Sequence, residues 1–262
     1  MRSRSQTTDN LLHCYRRLEL LIGDLAPDEW TVQSLCPDWD VRGVVTHLAG
    51  VEALLGDWLP TEEDNVPPFG RLGPNVERLD ALSIEELIAE VSAILDRRRA
   101  NLAVATDADY AHDSMTPVGP GTYHRFMNIR VFDFWVHQRD MTTPLGRATD
   151  DGGDAAETSV DEVEASIGYI VGKKIGLPDG MSIAFHLTGP VERDILARVD
   201  GRAAQVSELA DPTVAVTTDS TTFVQLACGR IDPQGPIDDG RITWTGDGEW
   251  GDRAARNLRF TM

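Results

Sequence analysis

The stretch TYHRFMNIRVFDFWVHQRDM, residues 122–141, predicts a helix that carries two metal-binding types of side chain on one face. Asp133 and His137 are four residues apart, which places both side chains on the same side of a helix, one turn apart. A carboxylate and an imidazole placed in this way can bind one metal ion together, as they do in the cores of other helical bundles. The same spacing also fits an ion pair on a helix surface, so both alternatives stay open on spacing alone.

A third ligand for such an ion has to come from another helix, and His47 is the candidate. It lies in the middle of the apolar helix VRGVVTHLAGVEALLGDWL, residues 41–59, where a neutral imidazole needs a strong partner. Two imidazoles and one carboxylate leave a position open for water or substrate, as in catalytic zinc sites. The alternative is a core histidine whose hydrogen bonds are satisfied by the protein itself.

The first half of the chain contains three further helix signals. Residues 7–25 repeat apolar side chains at helical spacing, and Asp40 can cap the second helix. Ser83 and Glu86 have the spacing of a capping box at the start of a third helix. With the helix quoted above, these segments predict an antiparallel four-helix bundle. Residues 60–75 are rich in proline and glycine and predict a long irregular connection.

The pattern changes near residue 150. Residues 154–175 predict a fifth helix that could pack with either half of the chain. Beyond it, short alternating or β-branched runs predict a mostly antiparallel sheet with a helix on one side. The runs are MSIAFHLTG (181–189), ILARVDG (195–201), TVAVTTD (213–219) and RITWTGD (241–247), and the helix is STTFVQLACGR (220–230). The sequence therefore predicts a helical bundle over residues 1–150 and a smaller α+β domain over residues 151–262.

The charge of the chain argues against several classes of partner. Its 43 acidic and 24 basic residues give a formal net charge of -19, so neither nucleic acid nor an anionic membrane is expected to bind. No apolar run approaches the ~18 residues that span a bilayer, and no signal peptide is expected. Cys14, Cys36 and Cys228 are too scattered to predict a disulfide framework. A small-molecule partner and a cytoplasmic location are expected, and the oligomeric state is left open.

Two motifs resemble those of the mycothiol-dependent maleylpyruvate isomerase family, which belongs to the DinB-like metal-binding bundles. The first motif is a tryptophan, followed by a Cys/Pro/Trp cluster and then by an apolar helix that contains His-Leu. The second motif lies on the fourth helix and consists of an arginine, an acidic residue, Trp-Val-His and an aspartate. The motif residues here are Trp30, Cys36, Pro37, Trp39, Val41, His47, Arg130, Asp133, Trp135, Val136, His137 and Asp140. The second half is similar to the family's sterol-carrier-like C-terminal domain through LACGRIDP (226–233) and GRITWTGD (240–247).

The resemblance implies a metal site and assigns its ligands. The family's histidine, glutamate and histidine ligands fall on His47, Asp133 and His137, and the middle position departs because aspartate is one methylene shorter. An arginine of the family's C-terminal domain that lies near the metal falls on Arg230, with a solvated loop arginine as the alternative. Arg130 either pairs with an acid, such as Asp133 or Asp140, or forms an exposed pair. Cys36 is expected to be structural, since no sequence neighbour would activate it.

The resemblance also implies an activity. A divalent metal, zinc or another first-row ion, would lower the pKa of bound mycothiol so that its thiolate attacks an electrophile. In the isomerase the thiolate adds to the double bond of maleylpyruvate, the resulting single bond rotates, and elimination gives the trans product and free thiol. Arg230 would hold a substrate carboxylate. In a thiol S-transferase the adduct would be kept. The competing hypothesis is a non-catalytic module that binds a metal or an apolar ligand.

Overall fold

The computed structural model divides into two units, Met1–Thr149 and Asp150–Met262. Four long helices lie side by side in the first unit. The structure describes residues 2–260. The first unit contains, in chain order, α1 (Arg4–Gly23), a 3-10 turn (Glu29–Thr31), α2 (Val41–Leu55), a second 3-10 turn (Phe69–Arg71), α3 (Leu72–Asp80), α4 (Ile84–Val104), α5 (Asp107–Ala111), β1 (Asp113–Thr116), β2 (Gly119–Thr122) and α6 (Tyr123–Thr142). Helices α1, α4, α2 and α6 contact one another in that cyclic order. The predicted four-helix bundle is confirmed.

The apolar positions predicted from helical spacing face the interior of this bundle. The buried members are Leu11, Tyr15, Leu18 and Ile22 of α1 and Leu87, Val91, Ile94 and Leu95 of α4. Ser83 forms the predicted capping box with Glu86. The Asp40 side chain caps α2 by accepting a hydrogen bond from the Gly43 amide. Local signals therefore placed the starts of α2 and α4 correctly.

Three features of the first unit differ from the sequence predictions. Helix α1 begins at Arg4, because Ser3 and Gln6 form a capping box upstream of the predicted start. Helix α3 begins inside the predicted irregular connection. Pro74 is compatible with it because the first turn of a helix needs no amide donor. The hairpin of β1 and β2, which contacts α6, was not predicted.

Five strands form the sheet of the second unit. They are β3 (Ser182–Thr188), β4 (Arg193–Asp200), β5 (Arg202–Gln205), β6 (Val214–Asp219) and β7 (Ile242–Gly246). Their spatial order is β5-β4-β3-β6-β7. The central pair β3 and β6 is parallel, with Ile183 opposite Val214, and the other three pairs are antiparallel. The predicted mostly antiparallel sheet is confirmed, and four of its strands coincide with the predicted runs.

The helices of the second unit follow the prediction less closely. They are α7 (Gly153–Ala165), α8 (Ile167–Tyr169) continued by a π-helical turn (Ile170–Ile175), α9 (Ser220–Ala227), α10 (Gln234–Asp238) and α11 (Gly248–Arg256). The predicted fifth helix is interrupted at Ser166 and ends at Gly176, whose φ of 71° is left-handed. Its parts pack on α9, β4 and β5 within this unit. Helix α11 was not predicted.

Among residues 2–260, no helix combines the length and the apolar character that crossing a bilayer requires. Cys14, Cys36 and Cys228 are all buried and carry free thiols.

Candidate metal centre

Helices α2 and α6 bring the three predicted metal ligands together. The Nε2 atom of His47 lies 3.5 Å from Oδ2 of Asp133, and Nε2 of His137 lies 3.4 Å from Oδ1 of the same carboxylate. One ligand atom from each of the three residues lies within 4.8 Å of the other two. The two residues of α6 are one helical turn apart and His47 comes from α2, so the side chains converge from two helices.

The donor spacing fits one first-row metal ion. Ligand atoms on a tetrahedral zinc ion with bonds of about 2.1 Å lie about 3.4 Å apart, which is close to the two distances that involve Asp133. The side chains of His47 and Asp133 keep 20% and 24% of their surface exposed, whereas that of His137 keeps 6%. The ligand set is therefore reachable from solvent on the side of His47 and Asp133.

Asp140 fixes the orientation of His137 from behind. Its Oδ2 atom lies 2.8 Å from Nδ1 of His137. A carboxylate at this position accepts a hydrogen bond from the Nδ1–H group, which keeps the proton on Nδ1 and leaves Nε2 as the ligand atom. The thiol of Cys36 donates to the same carboxylate at 3.1 Å, and the Leu35 amide donates to the backbone carbonyl of Asp140 at 3.0 Å. The loop before α2 thus supports the far side of the His137 ring.

Trp39, on the same loop, covers the ring of His47. The two ring centroids are 4.7 Å apart and the ring planes differ by 27°, which is a stacked arrangement. Burial lowers the pKa of His47, although the Asp133 carboxylate acts in the opposite direction. The imidazole is therefore neutral at pH 7, which is the form that binds a metal.

The charges of Asp133 and His137 depend on each other. Burial acts to raise the pKa of Asp133, but the Arg130 guanidinium and His137 outweigh it and hold that pKa well below its usual value. Burial acts to lower the pKa of His137, but the carboxylates of Asp133 and Asp140 hold it well above its usual value. The ionised Asp133 carboxylate attracts either a proton on His137 or a divalent cation, and binding of the cation releases that proton.

Arg130 connects Asp133 to the interior of the bundle. Its Nη1 atom contacts Oδ2 of Asp133, and its Nε atom donates to Oε1 of Glu52 at 2.9 Å. Arg130 is 3% exposed and Glu52 is 0% exposed. The predicted pairing of Arg130 with Asp133 is therefore confirmed, and the alternative of an exposed pair is wrong.

Glu52 is the centre of a buried polar network that the sequence analysis missed. It also accepts hydrogen bonds from the Tyr15 hydroxyl at 2.5 Å and from Nε of Arg98 at 2.9 Å. Tyr15, Glu52, Arg98 and Arg130 come from α1, α2, α4 and α6, so each helix of the bundle contributes one member. A single acid inside the apolar stretch GVEALL (50–55) was the available signal, because a buried carboxylate requires charged partners.

A second group of ligand-type side chains overlaps the first. Cys36, His137 and Asp140 also offer atoms within 4.8 Å of one another, and all three residues are buried. The contacts of Asp140 with the other two, 2.8 Å and 3.1 Å, are ordinary hydrogen-bond lengths. This group therefore supports His137 through its Nδ1 side. Cys36 and Asp140 both belong to the motifs quoted above, but their contact was not predicted because they are 104 residues apart.

Arg230, the other predicted site residue, lies in the second unit just after α9. Its side chain is half-buried, and Nη1 donates to the backbone carbonyl of Cys228 at 3.0 Å. Its assignment as a carboxylate-binding residue stays a prediction.

Replacing Asp140 with asparagine is expected to weaken zinc binding about 10- to 100-fold, which is typical when the partner of a ligating histidine is removed. The asparagine amide keeps the size of the side chain but removes the negative charge that makes Nε2 of His137 a stronger ligand for the metal. Competition with a chromophoric chelator measures the affinity. Asp194→Asn is the matched control, since Asp194 contacts the exposed His186 at 2.6 Å. Equal affinities of Asp140→Asn and the unmodified protein would contradict the role assigned to Asp140.

The chain is similar in sequence and in fold to one group of proteins. Residues 11–142 match the family profile described as the mycothiol maleylpyruvate isomerase N-terminal domain, and residues 157–253 match the profile of the C-terminal domain of the same family. The crystal structure of the mycothiol-dependent maleylpyruvate isomerase aligns with a TM-score of 0.60, and that of a histidine-to-alanine mutant of the isomerase with a TM-score of 0.64. Each is 14% identical to this chain, and each alignment covers 93% of both chains. No curated protein matches the chain by sequence. At this identity the structural likeness establishes the fold.

Proposed function

This chain belongs to the mycothiol maleylpyruvate isomerase family, and from that premise we propose that it is a metal-dependent enzyme that activates mycothiol for attack on an electrophilic small molecule. The observation that carries the proposal is the convergence of His47, Asp133 and His137 on one point. Two of these side chains are partly exposed, so a thiol and a substrate can approach the ligand set.

Zinc is the proposed metal. Two imidazole nitrogens and one carboxylate oxygen form a set of three protein ligands of the kind found in catalytic zinc sites. The same donors also suit nickel, cobalt and iron. A divalent cation bound by these ligands would lower the pKa of a thiol at its open position, so that the thiol reacts as a thiolate near neutral pH.

The protein's own residues orient this chemistry. Asp140 holds the His137 ring in one direction through Nδ1, and Trp39 covers one face of the His47 ring. Both ligands are therefore fixed before any substrate arrives, which reduces the reorganisation needed during the reaction.

The charge of the site favours an anionic substrate. The formal charges of Arg98, Glu52, Arg130 and Asp133 cancel, because two guanidiniums face two carboxylates. The Asp140 carboxylate beside His137 adds one negative charge to this balanced set, so a divalent cation bound with neutral histidines would give the site a net charge of +1 before the thiol binds, although the whole chain carries -19. A substrate with carboxylates, such as maleylpyruvate, is attracted to such a site.

Arg230 is proposed to bind a carboxylate of the substrate, since a guanidinium can form two parallel hydrogen bonds with it. This role is carried over from the family motif LACGRIDP (226–233). An Arg230→Gln variant is expected to lose about 10- to 100-fold in kcat/KM for maleylpyruvate, as charge-assisted hydrogen bonds contribute about 1.5–3 kcal/mol. Reaction with an uncharged bimane is expected to be unaffected, because it has no carboxylate to bind.

The proposal as a whole is tested by incubating the zinc-loaded protein with mycothiol and maleylpyruvate. Turnover to the trans isomer is expected, and omission of mycothiol or addition of a chelator should abolish it. Formation of a mycothiol–bimane adduct without isomerisation would assign a thiol S-transferase instead. A protein that binds no metal, or that binds metal but catalyses neither reaction, would contradict the proposed enzyme and favour the binding module.

A further inference from the structure

We propose that Glu52 is a positioning residue of the metal centre: it holds Arg130 so that the Arg130 guanidinium places the Asp133 carboxylate as a ligand. The inference rests on the metal binding proposed above. Glu52 lies on α2 and is fully buried, so a substrate cannot reach it. Its side chain contacts Arg130 and neither of the two histidine ligands. Its effect on the metal is therefore transmitted through one side chain, that of Arg130.

The geometry of Arg130 makes this transmission direct. A guanidinium is planar and rigid, so fixing one nitrogen fixes the directions of the other two. Glu52 fixes Nε through a hydrogen bond of 2.9 Å, and the same plane presents Nη1 to Oδ2 of Asp133. Oδ2 is also the oxygen that lies 3.5 Å from Nε2 of His47. Two side chains therefore determine the position of this oxygen, Arg130 from α6 and His47 from α2.

The length of the Asp133 side chain increases the importance of this contact. Aspartate has a single side-chain methylene, so its carboxylate follows the backbone of α6 and the groups that hold it. Three groups contact it here: Arg130 on Oδ2, His47 at 3.5 Å from the same oxygen, and His137 at 3.4 Å from Oδ1. If the contact with Arg130 is lost, the carboxylate can rotate away from His47.

Electrostatics act in the same direction. Glu52 balances the charges of Arg98 and Arg130 through hydrogen bonds of 2.9 Å each. Neutralising Glu52 leaves two buried guanidiniums and one carboxylate, so the surroundings of the ligand set gain a positive charge that repels a divalent cation. Loss of position and gain of repulsion both lower the affinity for the metal.

The test compares Glu52→Gln with Glu19→Gln in the full chain. Glu19 lies in the same bundle and also pairs with an arginine, Arg99, at 2.5 Å, but it touches no candidate ligand. Zinc affinity is measured by chelator competition, and the absorption spectrum of the cobalt-loaded protein reports ligand geometry. Glu52→Gln is expected to bind zinc at least about 10-fold more weakly and to change the cobalt spectrum. Glu19→Gln is expected to match the unmodified protein in both measurements.

A second variant covers the case in which Glu52→Gln fails to fold. Arg130→Lys keeps the positive charge, but a single ammonium cannot hold Glu52 and Asp133 in the fixed directions of a guanidinium. It is expected to weaken zinc binding and to change the cobalt spectrum in the same way. Unchanged affinity and spectrum in either folded variant would overturn the role of Glu52 while leaving the proposed function intact. An unmodified protein that binds no zinc or cobalt would overturn both.

Discussion

Replacing His137 with alanine is expected to weaken zinc binding by more than about 100-fold. Structural zinc sites with four ligands contribute about 10–16 kcal/mol in all, so one ligand accounts for roughly 3 kcal/mol. His137 is the most buried of the three candidate ligands, with 6% of its side chain exposed. It is also the one held from behind by Asp140 at 2.8 Å. Its loss removes a ligand whose direction is fixed by the protein.

Thermal unfolding with and without zinc measures this loss directly. At a zinc concentration of 100 times the dissociation constant, the unmodified protein gains about 2.7 kcal/mol of stability from mass action. With a dissociation constant 100 times higher, the same zinc concentration stabilises the variant by only about 0.4 kcal/mol. His186→Ala is the control, because that histidine is 42% exposed on β3 and lies outside the ligand set. A His137→Ala variant that folds and still binds zinc as tightly would show that the three side chains do not form the site.

Replacing Arg98 with methionine is expected to destabilise the protein by about 3–5 kcal/mol, the range for breaking a buried ion pair from one side. The Arg98 side chain is completely buried, and its three nitrogens meet five acceptors. The acceptors are Oε2 of Glu52, the Gly56 carbonyl, Oδ1 of Asn101, the Tyr123 hydroxyl and Sδ of Met127. Methionine fills similar space but satisfies none of them.

Denaturant unfolding followed by circular dichroism measures the effect. Arg99→Met is the matched control at the next position, since Arg99 is 27% exposed and pairs with the equally exposed Glu19. Pairs of that kind contribute about 1 kcal/mol or less. A loss of less than 1 kcal/mol in Arg98→Met would mean that the buried network is not a source of stability, and that its polar groups find other partners when one member is removed.

The buried network and the candidate metal site lie next to each other in one bundle. The network of Tyr15, Glu52, Arg98 and Arg130 joins all four helices, and its last member reaches the carboxylate of Asp133. Buried charges that pair in this way hold one another in one arrangement, because moving one of them leaves another unpaired. Among the described residues only Nη2 of Arg130 in this network has no hydrogen-bond partner. Stability and metal binding are therefore expected to be coupled through Arg130.

The sequence by itself determined the features that depend on near neighbours along the chain. The placement of Asp133 and His137 on one face follows from helical spacing alone, and the same periodicity predicted the buried stripes of α1 and α4. The capping box of Ser83 was equally local. Helical hydrogen bonds and caps join residues three or four positions apart, so the information that specifies them lies within one short segment.

Only the tertiary structure decided which distant side chains meet. Glu52 is 46 residues from Arg98 and 78 residues from Arg130, and Cys36 is 104 residues from Asp140. The parallel pairing of β3 with β6 is a similar long-range choice. Such partners are selected by how whole helices and strands pack, and no periodicity within a segment encodes that selection. The sequence therefore identified the candidate ligands, whereas the groups that hold them in place became visible only in the folded bundle.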